Sequence, residues 1–81
     1  MKYLIIEDFS GKQRPFIFPD SVDHVDMRGQ LPYAKVISCG VVSLSEGGFV
    51  CTGGNSEMEI KARPSEDAEL IWEVMKEPHS N

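Results

Sequence analysis

Alternation of apolar and polar positions dominates the first part of the chain. In MKYLIIEDF, Tyr3, Ile5 and Phe9 share one parity, and Leu4 and Ile6 share the other. Lys2–Phe9 therefore predicts a strand with apolar side chains on both faces. Ser10–Gln13 reads as a turn, with Gly11 free to take positive φ. RPFIFP, residues 14–19, predicts a second strand. Pro15 and Pro19 lack an amide hydrogen, which makes it an edge strand or a very short one. The period then changes. Over PDSVDHVDMRGQL, Asp20 or Ser21 can cap about two turns of helix. Val22, Val25 and Met27 turn inward, and Gly29 stands as the glycine after the helix.

The strongest β pattern lies in AKVISCGVVSLSEGGFVCTGGNSEMEIKA. Val36–Ser45 predicts a long strand, covered on both sides at its middle because apolar or small residues occupy both parities. Gly40 within it marks a bulge or the close approach of another backbone. Gly47-Gly48 predicts a hairpin turn, Phe49–Thr52 the returning strand, and Gly53–Asn55 a second turn. In Glu57–Ala62 the alternation is clean, with Met58, Ile60 and Ala62 inward and Glu57, Glu59 and Lys61 outward. A final helix starts around Pro64 or Ser65, with Glu66, Asp67 and Glu69 in its first turns. Ala68, Ile71, Val74 and Met75 form its apolar stripe, Leu70 widens it, Trp72 lies at its edge, and Pro78 ends it. The expected architecture is α+β: ββαβββα, with a small, largely antiparallel sheet and two helices packed on one face. Residues 1–78 form a single domain and 79–81 a C-terminal tail.

Composition narrows the function classes. The net charge is −5, and the eight basic residues are scattered. Direct nucleic-acid binding, which rests on clustered Lys and Arg, is not expected. The apolar run at the start meets Glu7 and Asp8 too soon for a signal peptide, and no stretch suits a membrane span. The expected location is the cytoplasm. Cys39 and Cys51 suit buried, reduced thiols there. A hairpin turning at Gly47-Gly48 sets Leu44 opposite Cys51 and turns Cys39 to the other face; a three-residue loop would put both thiols on one face, about 13 Å apart along the strand.

No candidate chemistry forms a constellation. Asp20, Asp23 and Asp26 share one side of the first helix, where hydrated acids complement its dipole; the glycine and closing glutamate of a calcium loop are missing. Gly53-Gly54 lacks the context of a dinucleotide fingerprint and the lysine of a Walker loop. His24 and His79 are the only histidines, and no nucleophile motif accompanies them. Neither catalysis nor a metal or cofactor is expected. The residues singled out for binding are Arg63, Glu66, Asp67, Trp72 and His24. Arg63 precedes a helix N-terminus, where an anion is favoured; its bland alternative is an ion pair with Asp67 or Glu66. Trp72 can belong to the core stripe or to a partner-binding face. A lone His24 on a short helix reads as surface or structural.

Ser38-Cys39-Gly40-Val41-Val42, then Gly54, Ser56, Glu57 and Ile60, then Arg63-Pro64, Asp67-Ala68 and Leu70-Ile71 follow an order of motifs. That order resembles small bacteriophage and prophage proteins with a SAGFV … GxSESL … RPxDA pattern. The first motif carries Cys and Val in place of Ala and Phe, the second is loosely matched, and the third is well matched. An upstream histidine of that class corresponds to His24. The resemblance implies an origin and no activity. The function expected is therefore protein–protein binding, with a second copy of the chain as one candidate partner. Two alternatives stand beside it. One is an acidic decoy for a host nucleic-acid-binding or defence protein, since residues 56–81 carry seven acids against three bases. The other is a small anion-binding module at Arg63 and Gly53-Gly54.

Overall fold

The computed structural model describes residues 1–31 and 35–76. Strands β1 (Lys2–Glu7) and β2 (Gln13–Phe18) precede helix α1 (His24–Gly29). Strands β3 (Lys35–Ser45), β4 (Gly48–Thr52), β5 (Gly54–Asn55) and β6 (Ile60–Lys61) follow, then helix α2 (Pro64–Lys76). The main sheet has the order β2-β1-β3-β4 with every pair antiparallel, and β5 and β6 form a separate hairpin. This is the expected α+β class.

The helices, however, lie on opposite faces of the sheet rather than on one. Tyr3 and Ile5 pack with Val42, Cys51 and Ile71, under α2. Leu4 and Ile6 pack with Phe18 and Cys39, and with Val22, Met27, Met58 and Ile60 from the α1 segment and the β5–β6 hairpin. The reason lies in β1, the strand between β2 and β3. Its four apolar residues are buried on both parities. Each face needs its own cover, and one layer of helices cannot supply both. The molecule is thus three-layered: α2, then the sheet, then α1 with the short hairpin.

Several boundaries differ from expectation for local reasons. β1 ends at Glu7 because Asp8 folds the chain back. The Asp8 carboxylate accepts from the Ser10 amide and hydroxyl, the Lys12 amide and Arg14 Nε at 2.6–3.0 Å. These bonds, Ser10 first and then Arg14, hold Asp8 well below the usual carboxylate range. Phe9 therefore sits in a turn, 90 % exposed, and not on the core face. α1 starts at His24, after Asp23, instead of at Asp20 or Ser21. Val25 on it is exposed, and Gly29 is its last helical residue, with Gln30 as the cap.

The β3–β4 turn is Glu46-Gly47, and Val42 rather than Leu44 lies opposite Cys51. A shift of two residues keeps parity, so the two thiols still face opposite sides of the sheet. Gly54 and Asn55 belong to β5, and the turn falls on residues 56–59, inside the expected third strand. Gly53 takes φ 85°, and a side chain on Gly54 would press on the β6 backbone at Ile60 and Lys61. The glycine pair is therefore structural: one member turns and the other lets a strand approach. Along α2 the apolar stripe is shorter than expected. Ile71 is buried, while Val74 and Met75 are exposed. The expected helix stop at Pro78 and the tail 79–81 lie outside the described residues.

Candidate functional site

Two arrangements stand out, one closed and one open. The closed one is centred on Asp67, which is fully buried. Asp67 belongs to the first turn of α2, where its amide donates to the Arg63 carbonyl at 2.8 Å. Its carboxylate reaches back to the Arg63 amide at 2.8 Å, satisfying a donor that the helix start would leave open. Oδ2 also accepts from Tyr3 Oη at 2.6 Å, and Oδ1 from Ser38 Oγ at 2.6 Å. The Arg63 guanidinium completes the shell, with Nε at 3.2 Å and Nη2 at 3.1 Å from Oδ1. Nη1 donates to Glu66, and Nη2 donates to Gln13 as well. A buried charge is tolerable when it is paired and hydrogen-bonded this fully.

The sheet is shaped to build this cluster. Tyr3 lies directly opposite Gly40, where a Cβ would overlap the Thr52 carbonyl and come within 3.2 Å of the Tyr3 hydroxyl. Gly40 thus lets Tyr3 cross the sheet face and lets β4 close in. The expected bulge falls a little earlier: the β1–β3 register shifts between Ile5 and Ile6, so that Ile37 is the extra residue. Ile37 joins the α2-side core while Val36 packs on the other face, and Ser38 points at Asp67. Burial, with the Asp67 hydrogen bond and charge behind it, pushes the Tyr3 hydroxyl far above its ordinary pKa. Burial and then the Asp67 charge also raise both thiols, Cys39 to about 11. Tyr3, Ser38 and Asp67 are all without solvent contact, and the cluster reaches the surface only on its Arg63–Glu66 side. It is an anchor that ties the start of α2 to β1, β3 and, through Gln13, β2.

His24 is buried in the opposite layer. Its Nε2 lies 2.9 Å from the Gly40 carbonyl, and its ring meets Phe18 edge-on at 5.5 Å. A carbonyl only accepts, so Nε2 carries the hydrogen. His24 and Asp67 thus grip the sheet from opposite sides and do not meet. Among the described residues, no group of three His, Cys, Asp or Glu side chains is placed to hold a metal ion.

The open arrangement is the groove between α2 and the β3–β4 hairpin, of about 470 Å³. Leu44, Phe49, Ala68 and Trp72 line it, with Glu46 and Glu69 also on its wall. Leu44 is 74 % exposed and Trp72 49 %. The Trp72 ring leans on Phe49, centroids 6.2 Å apart. The hairpin outruns the sheet here, because Met1 and β1 reach no further along β3 than Val42, while β4 pairs with it as far as Ser45.

Of the five residues singled out from sequence, Arg63, Glu66 and Asp67 come together, Trp72 stands apart on the groove, and His24 is internal. Tyr3, Ser38 and Gln13 were not foreseen as their partners, nor Leu44 and Phe49 as Trp72's neighbours. The signal for Ser38 was available: a hydroxyl inside the run VISCGVV needs a buried acceptor. Comparison of the chain with protein-family models, with curated proteins and with solved structures returned no match.

Proposed function

We propose that this chain is a small protein-binding domain of phage or prophage type, acting in the cytoplasm through the groove at Trp72 and without catalysis. One observation carries this reading. The chain's single tryptophan is left half in water beside an exposed leucine, although the domain has a core it could have joined. Clustered exposed apolar residues mark contact surfaces, and tryptophan is prominent among residues that dominate binding energy.

Strand addition at a sheet edge is the weaker mode of contact. On β2, Pro15 removes an outward donor. On β4, the ladder alternation turns the backbone of Phe49 and Cys51 outward, but Cys51 is only 2 % exposed. Side-chain docking in the groove has no such obstacle. The anion-binding reading finds little support, because Arg63 is already engaged by Glu66, Asp67 and Gln13. The decoy reading is weakened too: Glu66 and Asp67 pair with Arg63, and Glu73 with Lys76, which thins the acidic surface.

The test is affinity capture by the intact chain and by Trp72→Ala, with each captured protein identified and rebound in purified form. A purified partner should lose about tenfold or more in affinity for Trp72→Ala, a hot-spot loss near 1.4 kcal/mol or above. Unchanged affinity would remove the groove from the proposal.

A further inference from the structure

The charges around the groove specify its occupant. Glu46 and Glu69 flank Leu44, Phe49 and Trp72, and neither belongs to an ion pair among the described residues. Other carboxylates also stand unpaired, but among the described residues the groove wall carries these two acids and no lysine or arginine. Resting on the protein-binding reading above, we infer that the groove receives a basic segment of a partner protein, one that inserts an apolar side chain beside Trp72 and sets flanking lysines or arginines against Glu46 and Glu69. The electron-rich face of Trp72 favours the same cations. Charge complementarity of this kind sets specificity and encounter rate while the buried apolar anchor supplies most of the affinity. A second copy of this chain is the poorer occupant. A twofold contact sets the same patch against itself, and would oppose the carboxylates of one groove to those of the other.

Because Trp72 is the only tryptophan, its emission reports the groove directly. Two capped synthetic peptides serve as probes, one mixing leucine and lysine and the other leucine and glutamate in the same pattern. The lysine peptide should shift Trp72 emission and bind about tenfold or more tighter than the glutamate peptide, with an advantage that shrinks as salt is added. In the double variant Glu46→Lys/Glu69→Lys the preference should reverse. The control Asp26→Lys/Glu57→Lys changes net charge equally on exposed residues of the α1 and β5–β6 layer, and should keep the lysine preference. If both double variants shift the preference alike, attraction is only to net charge and the inference falls. It also falls if the two peptides bind equally, or if Trp72 emission changes with protein concentration alone, which would make a second copy the occupant. None of these results touches the broader reading, which stands or falls on the Trp72→Ala comparison with a captured partner.

Discussion

Asp67 shows how much one side chain can organise. It closes the start of α2, orients the Tyr3 hydroxyl across Gly40, and gives Ser38 a partner inside an apolar strand. Asp67→Ala would leave two buried hydroxyls and the Arg63 amide without an acceptor. The expected loss is about 3 kcal/mol, toward the low end for a broken buried pair because Arg63 can turn to water. Urea denaturation measures it. A loss under about 1 kcal/mol, the scale of a single ordinary hydrogen bond, would show that the carboxylate is not the anchor. The identity of this residue as an acid near a helix start was legible in the sequence. Its burial was not, because the groups that make burial tolerable come from positions 3 and 38.

At the scale of elements, the short hairpin carries a local conflict. Its turn spans residues 56–59 and places Glu59 at φ 56°, a left-handed conformation that costs a residue with a side chain. Asn55 supports the turn through its side-chain oxygen, which accepts from the Met58 amide at 2.9 Å. Glu59→Gly should relieve the strain, offset in part by glycine's greater freedom when unfolded, for a net gain of about 0.5 kcal/mol. A lowered midpoint in the same denaturation experiment would count against this account of the turn. The clean alternation of Glu57–Ala62 predicted a strand here, and only Ile60–Lys61 became one. Alternation states which side chains can share a face. It does not supply the neighbouring strand that holds them, and β6 has only β5 beside it.

At the scale of the whole molecule, the two faces of one sheet are sealed separately, and the groups buried there couple stability to alkaline pH. Cys39 ordinarily titrates at 9.0 and is raised to about 11 in the fold. An unfolded chain therefore gives up this proton first. Stability is fully present below 9.0 and falls as pH climbs through about 11. Cys51 and Tyr3 are raised in the same direction, so their contributions add to the decline. The urea midpoint, followed from neutral to alkaline pH, should drop across this window, and Cys39→Ala should shallow the drop. A flat profile would contradict the burial of these groups.

What the sequence by itself determined is the inventory: strands at β1 to β4, a helix from Pro64, an edge strand marked by Pro15, and a central strand apolar on both sides. These follow from local period, proline chemistry and capping, which act between near neighbours. What only the tertiary structure decided is which cover goes on which face, that Asp67 and His24 are internal, and that Trp72 is left at an open groove. Those outcomes depend on contacts between positions far apart in the chain, such as Tyr3 with Asp67 and Phe49 with Trp72. A side chain's burial is settled by where those distant partners come to lie, and no local pattern contains that information.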